Sequence, residues 1–184
     1  MPSSLPPPSS VKDLSQDRQF QVLDTLFESS PELHTLVGPV LANQSFSSYS
    51  SLVDAVGDQM SALSASNRPT DRDILLGILG SHPRLGQPKT AAAEHLSELS
   101  KKEQAKLNTG DDGTQAAKLQ LLNQEYELQF PGLRFVTFVN GRSRDAIIEE
   151  GNSRIARKNR EQEIEDNIQA MVAIAKDRAG KLSQ

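Results

Sequence analysis

The sequence predicts an all-α, single-domain helical bundle with one short extended segment near 134–139, and three observations support this. Apolar residues recur three and four apart over most of the chain. Helix caps and breakers, Ser30-Pro31, Thr70, Gly80, Pro131-Gly132 and Ser143, punctuate those periodic stretches. A single run, Arg134-Phe135-Val136-Thr137-Phe138-Val139, is β-branched and aromatic, and one extended segment cannot build a sheet by itself.

In chain order, residues 1–10, MPSSLPPPSS, are too rich in Pro and Ser to nucleate a helix. They are expected to form a disordered tail reaching residue 14, ahead of a helical domain over 15–184. From Asp17 the pattern is helical, with Phe20, Leu23 and Phe27 on one face. Ser29-Ser30-Pro31 ends that helix and starts the next, which carries Leu33, Leu36, Val37 and Val40; Pro31 suits a first-turn position. The stretch 47–64 places Leu52, Val56, Met60 and Leu63 at spacings of 4, 4 and 3. Thr70 is the expected N-cap of a helix over 71–79, with Asp71 and Asp73 complementing its dipole and Gly80 ending it. A helix is expected from about 90 to 107, then a surface loop at Gly110-Asp111-Asp112-Gly113. Leu119, Leu122, Tyr126 and Phe130 mark the next helical face. After the extended run, Ser143 caps a short helix expected to end at Gly151, and a long charged helix fills most of 153–182.

Composition narrows the class. With 36% hydrophobic but only 4% aromatic residues, the core must be built mainly from Leu, Ile, Val and Ala. A net charge of −4 and a pI near 5.4 give no reason to expect nucleic acid or an anionic membrane as partner. The chain has no cysteine, which removes disulfides, thiolate nucleophiles and Cys-based zinc sites. No apolar run approaches the roughly 20 residues of a membrane span. The N-terminus lacks a secretory pattern, and the final Lys181-Leu182-Ser183-Gln184 is not a Ser-Lys-Leu signal. A cytoplasmic protein is expected, with the peroxisome as the alternative.

Two helices carry a charge on a face that should be apolar. Leu96, Leu99, Glu103 and Leu107 form one stripe, with Ser100 one turn before Glu103 and on its side. Ile164, Ile168, Met171, Ala175 and Leu182 form another, into which Arg178 falls. A charge facing a core costs several kcal/mol unless it is paired and hydrogen-bonded. His82, in a turn bounded by Gly80, Pro83, Gly86 and Pro88, completes a candidate polar pocket. Each residue also has a plain reading: Glu103 snorkels to solvent, Arg178 serves the helix C-terminus, and His82 is turn punctuation. His34 and His95 have no partner pattern and read as structural or surface residues. Arg154, Arg157, Lys158 and Arg160, followed by Glu161, Glu163 and Glu165, read as a solvated helix face. There is no HExxH metal motif, no phosphate loop and no nucleophile elbow, so no metal is expected.

Taken in order, several stretches resemble one family, the OHCU decarboxylases of uric acid breakdown. Ser81-His82-Pro83-Arg84-Leu85-Gly86 resembles the family's His-Pro-x-Leu motif, and Ser100-Lys101-Lys102-Glu103-Gln104 its Ser-x-x-Glu-Gln motif. Phe135 to Val139, followed by Asn140-Gly141-Arg142-Ser143, is similar to its "FIVCVKGRS" type of segment. Leu26-Phe27-Glu28-Ser29-Ser30-Pro31 and Phe46-Ser47-Ser48-Tyr49 resemble its "FE-x-SP" and "PFSS(F)" landmarks. Arg178 falls where the family has a substrate-binding arginine. The departures are Arg84 at the third motif place, the absent Ala before Gly86, Ala105-Lys106-Leu107 where Ala-Gly-Leu is usual, and the 110–113 loop.

The resemblance implies a cofactor-independent decarboxylation of 2-oxo-4-hydroxy-4-carboxy-5-ureidoimidazoline to (S)-allantoin by a homodimer. It implies that His82 is the acid/base group, with a pKa near the working pH, and that Glu103 binds the substrate and biases His82. Arg178 would clamp the anionic side of the substrate. Pro83, Ser100 and Gln104 would line the pocket, and the main chain of Phe135, Thr137 and Val139 would meet the ring's amide edges. Two rivals stay open: a helical interaction module without catalysis, and a related enzyme acting on another ureido or imidazole carboxylate.

Overall fold

The structure, a computed structural model, describes residues 4–86, 98–107 and 113–183. The expected helical start over 90–97, with His95 and Leu96, and most of the 110–113 loop lie outside the described residues. Eight α-helices follow one 3-10 turn among the described residues: α1 Gln16–Phe27, α2 Pro31–Asn43, α3 Tyr49–Ala65, α4 Pro69–Gly80, α5 Glu98–Leu107, α6 Thr114–Gln129, α7 Arg144–Arg157 and α8 Arg160–Leu182. The all-α architecture is as predicted.

Helix α8 is the centre of the bundle. Its Ile164, Ile168, Met171 and Ala175 are buried, packed most extensively against α3 and then against α1. Gly57 permits the α3–α8 approach, because a Cβ there would sit 2.8 Å from Val172 Cγ2. The α3 stripe of Leu52, Val56, Met60 and Leu63 and the α6 face of Leu119, Leu122 and Tyr126 are buried as their spacing predicts. Ser30 caps α2, Ser48 caps α3 in a capping box, and Ser143 caps α7.

The structure corrects several sequence expectations. The segment expected to be a tail through residue 14 is docked from Leu5 onward. Pro8–Asp13 forms the 3-10 turn, Val11 is fully buried, and Gln19 Nε2 donates to the carbonyls of Val11 and Lys12 at 3.1 and 3.2 Å. Tyr49 donates its hydroxyl to Pro6 O at 2.6 Å. Val11 and the partly buried Leu5 pack on the core, and the carbonyls of Pro6, Val11 and Lys12 accept side-chain bonds that hold the segment. Phe20 is only half-buried and stacks on His34, ring centroids 4.2 Å apart, while His34 pairs with Asp24 at 2.5 Å. Helix α4 begins at Pro69 rather than after a Thr70 cap, since proline needs no donor in the first turn.

The break expected near Gly151 falls at Lys158-Asn159 instead. Lys158 adopts a left-handed conformation (φ 51°) that closes α7, and the Asn159 side chain accepts from Gln162 N to open α8. That corner folds the two helices so that Arg154 and Glu163, assigned above to a solvated face, are both buried. Arg154 Nε donates to Glu163 Oε2 at 2.9 Å, and Tyr126 donates its hydroxyl to the same oxygen at 2.7 Å.

This buried cluster explains why the segment 134–139 stays extended without a strand partner among the described residues. Val136 N donates to Asn167 Oδ1 (3.2 Å), Val136 O accepts from Arg154 Nη1 (3.0 Å), and Arg134 O accepts from Asn167 Nδ2 (3.1 Å). Side chains of α7 and α8 thus supply the bonds that a neighbouring strand would otherwise provide.

Candidate active site

Helix α4 ends at Gly80, and Ser81 turns the chain by donating its hydroxyl to Ile78 O at 2.6 Å. The turn that follows is held by α6 and by the extended segment. Arg134 Nη1 donates to His82 O (3.1 Å), Asn123 Nδ2 donates to Leu85 O (2.9 Å), and Arg84 pairs with Glu127 through two bonds of 2.6 and 2.9 Å. Gly86 sits at φ +69°, where a Cβ would also press to 3.3 Å from Leu119 Cβ. Arg84, the departure from the family motif, therefore anchors the turn to α6.

Held this way, His82 is 8% exposed, and Pro83 beside it is buried too. Its Nδ1 is buried and meets no hydrogen-bond partner among the described residues. Burial first, then the positive charge of Arg178, pushes its pKa down to about 4; Glu28 opposes that shift and Arg134 adds to it. The expectation that His82 titrates near neutrality therefore does not hold for the unliganded protein, in which the imidazole is neutral at pH 7.

Arg178 is the hub of the site and is fully buried, resolving the choice between core and surface that its stripe left open. Its Nε and Nη2 meet the two oxygens of Glu103 at 3.2 and 2.9 Å, a bidentate pair. Nη2 also donates to Ser100 Oγ at 2.7 Å, and Nη1 reaches Leu26 O at 3.2 Å and Glu28 Oε1 at 3.0 Å. Five contacts thus meet the five N–H groups of a guanidinium. Burial alone would lower the Arg178 pKa, but Glu103 and then Glu28 more than offset it and raise the value above its ordinary level. Glu103 and Ser100 lie one turn apart on α5, so both face α8 together.

Glu28, part of a sequence landmark but not among the expected site residues, also belongs to the site. It closes α1 at φ 78°, ψ 152°, a region occupied almost only by glycine and costing a side-chain-bearing residue about 1–3 kcal/mol. Its side chain is 4% exposed and accepts a hydrogen bond from Ser100 Oγ while pairing with Arg178. The available signal was an acid between the core residue Phe27 and the cap Ser30.

The remaining expected site residues are placed differently. Helix α5 carries Gln104, whose side chain lies outside the described residues. Phe135 packs its ring on Tyr126 and beneath Arg154, whose Cζ is 4.9 Å from the ring centroid. Thr137 Oγ1 lies 3.0 Å from both Glu150 oxygens and accepts from Arg142 Nη2 at 2.7 Å. Both main-chain groups of Val136 are engaged, by Asn167 and Arg154. Val139 O accepts from Arg142 N at 2.9 Å. Arg134, reaching His82 O, links the extended segment to the histidine turn.

Among the described residues no cluster of three or more His, Asp or Glu is placed to hold a metal ion. Nor is any helix there long and apolar enough to cross a membrane.

Compared with known protein families, residues 12–180 match the family model described as OHCU decarboxylase. A search of curated proteins finds no match.

Proposed function

The chain belongs to the OHCU decarboxylase family, carboxy-lyases of urate degradation, and on that premise we propose that it converts 2-oxo-4-hydroxy-4-carboxy-5-ureidoimidazoline to (S)-allantoin without a cofactor. The observation that carries this reading is the buried, unpartnered Nδ1 of His82 on a rigid turn, under the charge of the Arg178 cluster.

Arg178 has no N–H group to spare, so a substrate carboxylate reaches it only by displacing a partner. The Glu103 side chain is 35% exposed and the Glu28 side chain 4%, so Glu103 is the one that gives way. Released, it accepts from an N–H of the substrate, which leaves the substrate hydroxyl to His82. Carbon dioxide then leaves and its bonding pair enters the conjugated ring, where one solvent proton neutralises it. Neutral His82 takes the hydroxyl proton as the carbonyl forms and hands that proton to the ring carbon bearing the ureido group. Delivery from one fixed side gives one enantiomer, and the rigid turn supplies the orientation.

The test is decarboxylation of freshly generated substrate, followed by circular dichroism of the allantoin formed. The parental protein should accelerate the reaction and give a chiral product, and a folded His82→Asn variant should do neither. No acceleration by the parental protein overturns the assignment, and a parental rate in His82→Asn removes the histidine from the chemistry. The homodimer implied by the resemblance and the cytoplasmic location expected from the sequence are part of the same proposal; light scattering and cell fractionation test them.

A further inference from the structure

Glu28 is a carboxylate of the site with no part in the mechanism above. Glu28 reaches Arg178 from the α1–α2 corner, opposite in sequence to the α5 residues that meet the same guanidinium. We propose that Glu28 is a positioning residue of the decarboxylation: it holds Arg178 and Ser100 in place throughout turnover, so that Glu103 alone exchanges with the substrate carboxylate. This inference rests on the function proposed above.

Three independent observations point to it. Glu28 keeps a backbone conformation that glycine would occupy without strain, so the side chain is retained there for something it does. That side chain touches two residues from two other helices, Ser100 on α5 and Arg178 on α8, and joins them. Its burial contrasts with that of Glu103 on the same guanidinium, so the two carboxylates differ in their freedom to leave. A guanidinium held at Nη1 by Glu28 and Leu26 O keeps its Nε and Nη2 edge, now covered by Glu103, presented for bidentate capture of a carboxylate.

The test compares Glu28→Gln, Glu28→Gly and Glu103→Gln in the full chain. Nitrogen-15 NMR of the Arg178 side chain at neutral pH needs no substrate. The parental protein and Glu103→Gln should show distinct, slowly exchanging Nη signals, which collapse in Glu28→Gln. Glu28→Gly, which accepts the backbone angles of position 28, provides the same reading should glutamine disturb the fold. Kinetics then separate positioning from stability. In Glu28→Gln, kcat should fall at least about tenfold with KM unchanged or lower, because Arg178 is freer to bind substrate but no longer aimed. Retained Nη signals in both Glu28 variants, or kcat unchanged in a folded variant, overturns the proposal. If the parental protein fails to decarboxylate the substrate, the functional reading fails, and the placement of Glu28 is still decided by the NMR comparison.

Discussion

Arg178 Nη1 and the Glu28 carboxylate meet at 3.0 Å, tying the end of the first helix to the last helix where neither side chain is more than 4% exposed. Such a pair is tolerated only because every other N–H of the guanidinium also has a partner, in Ser100, Glu103 and Leu26 O. The same arrangement makes Arg178 costly to remove and explains the behaviour expected of its neighbours.

Arg178→Met should destabilise the fold by about 3–5 kcal/mol, because it leaves a buried carboxylate uncompensated. Adding Glu28→Gln to Arg178→Met should recover part of that loss. Urea denaturation of the two single variants and the double variant measures the coupling, and strictly additive effects would show that the two residues do not share an interaction.

His82 makes stability depend on pH in a defined direction. Its folded pKa of about 4 lies below the ordinary 6.5. Between those values the unfolded chain binds a proton that the folded protein does not, so stability falls as pH drops through that window and is intact above it. The shift corresponds to about 3 kcal/mol when the window is crossed completely. Denaturation midpoints at pH 7 and near pH 4 should differ less in His82→Asn than in the parental protein. Equal acid sensitivity in both would place the responsible group elsewhere.

Arg154 organises the extended segment, covering the Phe135 ring and donating to Val136 O. Arg154→Met should cost about 3 kcal/mol, at the lower end for a broken buried pair, since Arg157 still holds Glu163 at 2.6 Å. Amide hydrogen exchange at Val136 should quicken more than the global loss accounts for, because the flanking carbonyl bond disappears. Exchange at Val136 that merely follows global unfolding would mean that Asn167 suffices.

Arg84→Ala should cost less than about 1 kcal/mol, since its pair with Glu127 is 43% and 28% exposed. Turnover should change little. A large fall in kcat/KM with stability unchanged would show that Arg84 touches the substrate and would bear on which ureido compound the enzyme accepts.

Much of the fold is legible in the chain. The spacing on α3, α6 and α8, the caps at Ser30 and Ser143, and the stop at Pro131-Gly132 are local features, and each acts where it stands. Boundaries were less legible: Lys158-Asn159 splits the long charged helix through a left-handed residue that its own sequence does not demand.

The site divides along the same line. Sequence alone determined the all-α class, the family, and the fact that Glu103 and Arg178 intrude on apolar faces, because periodicity exposes a residue that breaks it. Only the tertiary structure decided which charges are inside. Glu28 lies in a gap between helices, where no periodicity applies. Arg154 and Glu163 sit in a run that reads as solvated until α7 folds back on α8. Whether a charge can be buried depends on partners arriving from distant segments, here Arg178 for Glu28 and Tyr126 for Glu163, and a local pattern carries no record of them.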